Sequence, residues 1–250
     1  MAEKTRYSDA ELEEFRAIIM EKLELAQRDY EQLKKSLMGQ KFRFKYQLKK
    51  FGGINVKIAI VAAMAEELAP FREGYPSSKL IWSKGKTKIE EVTNQLFLVE
   101  SGIGKANAAA TSAWLCEKVQ PDLIINTGST GSFRKDFALG DVVYTNQFMY
   151  SDVDATGFDY AFGQVPQMPA SYPVAAKWLQ VIETVLAQAT IPAHQGLIVT
   201  ADSFMSDQTS VAAIRQKFPE IIASDMESAA IAQIAHFYDI PVINLRGISD

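Results

Sequence analysis

The chain reads as an α/β fold preceded by a helix, on three observations. From Val56 onward, short apolar runs alternate with stretches of helical periodicity, the pattern of an α/β domain. Polar or glycine clusters stand just after those runs, where parallel strands bring their carboxyl ends to one edge. The first forty residues follow a different design, an apolar seam recurring every three or four positions.

That seam is the first element. Ser8-Asp9-Ala10-Glu11 has capping-box spacing, in which the Ser8 hydroxyl and the Glu11 carboxylate satisfy free amides at a helix start. Leu12, Phe15, Ile19, Leu23, Ala26, Tyr30, Leu33 and Leu37 then repeat with a period near that of a coiled coil. An amphipathic helix is expected over residues 1–38, with Gly39 as its stop. Residues 39–55 follow as a linker, in which Lys41-Phe-Arg-Phe-Lys-Tyr alternates cations with aromatics. Such a run serves either as a stacking platform for single-stranded nucleic acid or as a solvated strand; its shortness and isolation favour the second.

Residues 56–250 form the main domain. Strands are expected at 56–62, 96–99, 123–126, 141–145, 197–199 and 242–245, and 221–223 is a further short apolar run. Helices are expected at 65–71, 106–118, 174–187, 210–217 and 226–238.

Composition narrows the function. With 48% hydrophobic and 22% charged residues the 250-residue chain is of ordinary globular make-up. Its longest apolar runs fall far short of the roughly 18 residues a membrane helix needs, and its N-terminus is too polar for a secretory signal, so a cytoplasmic location without membrane contact is expected. The first fifty residues hold twelve Lys/Arg against nine Asp/Glu, leaving fourteen against twenty-one and a net charge of −7 on the main body. A body that acidic lacks the footprint of a nucleic-acid binder. One cysteine, Cys116, and two histidines, His194 and His236, do not supply a zinc site, and Cys116 reads as core. No metal and no cofactor are expected.

The polar clusters are individually weak. Ser101-Gly-Ile-Gly-Lys105 resembles a phosphate-binding turn yet lacks the full spacing of either glycine-rich motif, and alone it is a tight turn. Glu66 and Glu67 suit a helix start for dipole reasons alone. Met226 serves equally as core filler, and Glu227 as a first-turn carboxylate without a ligand. Joined, however, the set comprises a helix-start carboxylate, an arginine, the glycine-serine turn Gly128-Ser-Thr-Gly131, a Met-Glu pair and the terminal Ser249-Asp250, with Phe204 available to stack. Cleavage of a purine N-glycoside needs such a set, because the departing base must be protonated and water placed on the sugar. Asp250 would supply the proton and Glu67 the water.

At these residues the chain resembles the 5′-methylthioadenosine/S-adenosylhomocysteine nucleosidases of the purine nucleoside phosphorylase superfamily. The motifs are Lys57-Ile-Ala-Ile-Val-Ala-Ala-Met-Ala-Glu-Glu67, Ser101-Gly-Ile-Gly-Lys105, Asn126-Thr-Gly-Ser129, Gly196-Leu-Ile-Val199, Asp225-Met-Glu227 and Arg246-Gly-Ile-Ser-Asp250, in the family's order. The resemblance implies a three-layer α/β sandwich with a twisted mixed central sheet. It implies that Glu67 activates water, with Ser129 and Arg246 helping to hold it, and that Asp250, oriented by Ser249, protonates purine N7. Phe204 would stack on adenine and the Met205 backbone read its edge, while Met226 and Glu227 hold the ribose. Met64, Ile103, Phe158 and Pro166 would line the alkylthio pocket, the last two across a homodimer interface. The implied partners are adenine thionucleosides.

The chain departs from the family at Thr130 and Ser132, where smaller residues are common, and at Asp225, where glutamate is common. Family members also continue past the position of Asp250 into a helix that helps cover the pocket, so weak activity is expected of the 250-residue chain. Residues 1–38 resemble the first coiled-coil helix of DksA-type regulators of RNA polymerase, without that family's cysteines, so neither zinc nor polymerase binding carries over. Two other functions stay open: a nucleoside phosphorylase using phosphate as nucleophile, and an inactive adaptor acting through the N-terminal helix.

Overall fold

In this computed structural model, residues 56–189, 192–203 and 208–249 are described. The helix expected over 1–38, the linker over 39–55, and Phe204, Met205 and Asp250 lie outside them. The elements run β1 (Ile58–Ala62), α1 (Ala65–Glu73), β2 (Lys79–Lys84), β3 (Thr87–Thr93), β4 (Leu96–Glu100), α2 (Lys105–Val119), β5 (Leu123–Ser132), β6 (Val142–Tyr144) and β7 (Gln147–Tyr150). After a 3₁₀ turn (Thr156–Phe158) come β8 (Tyr172–Pro173), α3 (Ala176–Ala189), β9 (Ala193–Gln195), β10 (Leu197–Thr200), α4 (Gln208–Lys217), β11 (Ile221–Asp225), α5 (Ser228–His236) and β12 (Val242–Ile248).

The strands form one mixed sheet in the order β2-β3-β4-β1-β5-β11-β10-β7-β8, with β12 pairing β5 and β6, and β6 pairing β9. β1 is buried at every residue and lies parallel to both β4 and β5, which is why it reads as an unbroken apolar run. β5 organises the site. Its first half lies between β1 and β12, and its far end crosses to pair antiparallel with β11 through Gly131 and Ser132. Beyond β11, β10 and β7 continue in parallel. The carboxyl ends of β1, β4, β10 and β11 therefore gather around the middle of β5.

Helix α2 buries Ala108, Thr111, Ser112, Leu115, Cys116 and Val119, a stripe at steps of three and four. It packs against α5, whose buried face is Ser228, Ala229, Ala230, Ile231, Ala232 and Ala235. Small residues on both faces let the helices come close, which brings the N-termini of α2 and α5 to one crevice. Cys116 belongs to this core, where burial pushes its thiol up to about 11.

Three sequence readings need correction. β5 runs straight through Gly128-Ser-Thr-Gly131, which is strand and not turn, because β12 supplies partners as far as Thr130 and β11 pairs with Gly131. Arg246 lies inside β12 and is buried, whereas the apolar run suggested release at a strand end. Helix α5 starts at Ser228, so Glu227 is its N-cap and not a first-turn residue. The edge hairpin β2–β3 and the short strands β7, β8 and β9 carried no readable alternation; β2 is exposed at five of six positions.

Candidate active site

The Glu67 carboxylate is held at both of its oxygens. Met64, extended at φ −126° and ψ 155°, caps α1, and Glu67 is the third helical residue. Its Oε2 accepts the N–H of Ala63 at 3.0 Å and of Met64 at 3.2 Å, the reach-back of a capping box. Its Oε1 accepts the Ser129 N–H at 2.9 Å and the Ser129 hydroxyl at 3.2 Å. All four donors are neutral, so the group is fixed in place without being neutralised by a cation. Gly128 makes the approach possible: at φ +148°, a Cβ there would stand 2.5 Å from Oε1 and 2.8 Å from Cδ of a side chain that cannot swing away without losing those bonds.

A buried charge cluster lies behind it. Arg246 donates from Nη1 to the Ser129 carbonyl at 2.8 Å, and from Nη2 to Asn126 Oδ1 at 2.8 Å and Glu227 Oε2 at 3.2 Å. Its Nε sits 2.9 Å from Asp225 Oδ2, a charge contact in which the N–H does not line up as a hydrogen bond. Burial opposes the guanidinium charge, but Asp225, Glu227 and Glu67 outweigh it and its pKa is raised. Asp225 Oδ1 accepts the Thr200 hydroxyl and the N–H groups of Glu227 and Ser228, while Oδ2 takes the Ser228 hydroxyl. Asn244 donates to Ser228 Oγ at 2.7 Å, closing the network. For Glu227, burial pushes the carboxyl up, Arg246 pulls it down, Asp225 pushes up again, and the net direction is upward.

The first turn of α2 completes the site. Gly104 donates its N–H to Glu227 Oε1 at 3.0 Å, and Lys105 donates its own to Asp202 Oδ1 at 2.7 Å. Helix N-termini attract anions, and here two consecutive amides are already given to the protein's own carboxylates. A phosphate entering beside Glu67, Glu227 and Asp202 would meet three carboxylates, and the buried guanidinium already faces Asp225 and Glu227.

Glu67, Ser129, Arg246 and Glu227 thus form one connected group. Met64 and Met226, half-buried, adjoin Glu67 and Glu227 in sequence, and Ile103, 51% exposed, precedes the Gly104 amide. Ser249 continues β12, its N–H on the Thr130 carbonyl at 3.0 Å. Phe158 stands on its 3₁₀ turn, 81% exposed, and Pro166 is exposed on the same connecting segment. Thr130 spends its hydroxyl on the Ser224 carbonyl at 2.6 Å, tying β5 to β11, and Ser132 bonds Arg134 at the surface.

Sequence reasoning missed the roles of Asn126, Thr200, Ser228 and Asn244. The signal was present: Asn126 and Asn244 interrupt apolar strand runs, and a buried amide needs a partner for every donor it brings. The register places them side by side.

Comparisons with known proteins bear on this geometry. The phosphorylase superfamily pattern matches residues 57–250. The chain is 39% identical over 198 residues to the 5′-methylthioadenosine/S-adenosylhomocysteine nucleosidase of Bacillus thuringiensis subsp. konkukian, covering 78% of this chain and 86% of the relative. The Neisseria meningitidis nucleosidase of the same name, solved with methylthio-immucillin-A, superposes with a TM-score of 0.73 at 37% identity over 78% of this chain and 85% of that one. The Colwellia psychrerythraea nucleosidase, solved with adenine, gives a TM-score of 0.75 at 34% identity, with coverage of 79% and 83%.

Proposed function

The chain belongs to the 5′-methylthioadenosine/S-adenosylhomocysteine nucleosidases of the phosphorylase superfamily, and from that premise we propose how its residues divide the work. The reaction is hydrolysis of the N-glycosidic bond of 5′-methylthioadenosine and S-adenosylhomocysteine, with release of adenine. The observation that carries our reading of the nucleophile is the carboxylate of Glu67, which four neutral donors hold where a phosphate would otherwise have to sit.

As the sugar gains positive charge, Glu67 takes a proton from water and aims the oxygen at C1′. Ser129 sets the carboxylate's orientation directly, and Arg246 acts one step back by holding the Ser129 carbonyl. On the other side of the bond, Asp250 protonates N7 of the leaving adenine, aided by Ser249. Glu227 bonds both ribose hydroxyls, with Met226 packed on the sugar. Phe204 stacks on adenine and the Met205 backbone reads it, while Met64 and Ile103 line the alkylthio end. No metal or cofactor enters this scheme, which relies on protein acids and bases alone.

The scheme includes a homodimer in which Phe158 and Pro166 complete the partner's alkylthio pocket; an 81% exposed phenylalanine is the kind of group such an interface covers. The residues of this scheme belong to the domain that starts at residue 56, and removing residues 1–50 leaves the activity of the chain unchanged. Among the described residues no helix is long and apolar enough to cross a membrane, and we assign the enzyme to the cytoplasm.

Adenine release from 5′-methylthioadenosine in phosphate-free buffer tests the reading. Adenine release at a rate that does not depend on phosphate, with free 5-methylthioribose as the sugar product even after phosphate is added, is the expected result. A reaction that stalls without phosphate, or that yields a sugar phosphate, contradicts it.

A further inference from the structure

Outside the residues already given a role, one group of charges is tied to the site by unbroken hydrogen bonds. Lys105 Nζ lies 2.6 Å from Asp152 Oδ2 and 3.9 Å from Asp202 Oδ2. Asp152 Oδ2 also accepts the Asp202 N–H at 2.9 Å, and Asp202 Oδ1 accepts the Lys105 N–H at 2.7 Å. These contacts close a ring. It joins three segments distant in sequence: the stretch after β7, the stretch after β10, and the first residue of α2.

The ring has a consequence for Glu227. Gly104 sits at φ +95° and ψ 158°, a conformation side-chain-bearing residues rarely adopt, so the backbone leading into α2 has no steric well of its own to hold it. Its N–H points at Glu227 Oε1, 3.0 Å away, while the very next N–H is held by Asp202. A Cβ on Gly104 would stand 3.2 Å from Asp202 Oδ1, which shows how closely the carboxylate rests against this peptide. The Gly104–Lys105 peptide is held by Asp202 at its N–H and by the Ala108 N–H at its carbonyl, 3.0 Å away, while the Ile103–Gly104 peptide, whose N–H faces Glu227, is held at its carbonyl by Asn107 Nδ2 at 2.7 Å. With Asp202 removed, the Gly104 hinge between the two peptides loses one of these restraints, and the Gly104 amide is less well aimed at Glu227.

We propose that Asp202, fixed by Asp152 and Lys105, is a positioning residue for ribose recognition: it orients the Gly104 amide, which in turn orients the Glu227 carboxylate. The inference rests on the reading that Glu227 bonds the ribose hydroxyls. Asp202 itself touches neither sugar nor base in this scheme, and its removal weakens binding with little effect on the chemical step.

The test measures dissociation constants of a 7-deaza-adenine thionucleoside, which lacks the N7 that must be protonated for cleavage, in its ribo and 2′,3′-dideoxy forms. Wild type, D202A and D202N are compared, with kcat for 5′-methylthioadenosine alongside. D202A weakens binding of the ribo form about tenfold, the worth of one charge-assisted hydrogen bond, and of the dideoxy form less than about twofold. Its kcat stays within about threefold of wild type, since a loss shared by ground and transition states leaves kcat unchanged. D202N, whose amide oxygen still accepts the Lys105 N–H, restores ribo binding. Equal weakening of both forms in D202A overturns the proposal while leaving the Glu227 reading in place. Equal binding of ribo and dideoxy forms by wild type removes the Glu227 reading and the proposal with it. Unaltered ribo binding in D202A overturns the proposal alone, and a thermal melt on each variant separates these outcomes from unfolding.

Discussion

Glu67 and Glu227 are both carboxylates at the start of a helix, and they are held by opposite means. Glu67 takes four neutral donors, two of them from its own helix start, and among the described residues it forms no ion pair. Glu227 is only 4% exposed and lies against the buried guanidinium of Arg246 and a single backbone N–H. In the proposed scheme the two settings suit two tasks: the neutral donors fix the direction in which Glu67 faces a water, and Glu227, buried against Arg246, is held as an acceptor for hydroxyl groups.

Substituting the two acids probes that contrast most strongly. Glu67→Gln keeps the shape and removes the proposed base, so kcat for adenine release is expected to fall by about a thousandfold, within the range usual for general-base removal. A steady-state assay checks this, and a fall of less than tenfold means that water is activated elsewhere.

Gly128→Ala leaves every polar group in place yet drives a Cβ into the Glu67 carboxylate at 2.5 Å. Displacing a catalytic group by about an ångström costs on the order of a hundredfold, so kcat drops while binding of a 7-deaza analogue changes little. Wild-type turnover in this variant would mean that the placement of Glu67 is not critical.

The smallest effect is one of pH. Burial holds the Glu227 pKa above its ordinary value of 4.5, so the folded protein binds this proton more tightly than the unfolded chain does. The contribution is fully present below 4.5 and is lost as pH rises through the raised folded value. Glu227→Gln removes this dependence. The stability of wild type relative to the variant therefore falls as pH climbs from 4.5 towards neutrality, measured by urea unfolding at several pH values. A constant or rising difference would mean that Arg246 overrides burial.

The same contrast governs what the sequence made legible. Glu67 was readable because half of its anchors are local: Met64 and Ala63 precede it, and a carboxylate at the third helical position is a recognisable signal. The setting of Glu227 was not, because its partners come from residues 104 and 246 and its support from 126, 200 and 244, brought together only by register and crossover. Strand lengths failed for a related reason. Glycines at 128 and 131 read locally as a turn, and only the pairing of β5 with β12 at Gly128 and with β11 at Gly131 keeps the chain extended there. The hairpin β2–β3 escaped notice because an edge strand such as Lys79–Lys84 faces water and has no apolar alternation to display.

The central claim is geometric: Glu67 and Glu227 grip different parts of one thionucleoside, and a crystal structure with a 7-deaza-adenine thionucleoside tests it most directly. The account predicts one water within about 3 Å of both Glu67 and C1′, on the face away from the base, with Glu227 bonded to the two ribose hydroxyls. A complex in which Glu227 contacts the base, or in which no water fits between Glu67 and the sugar, would contradict it.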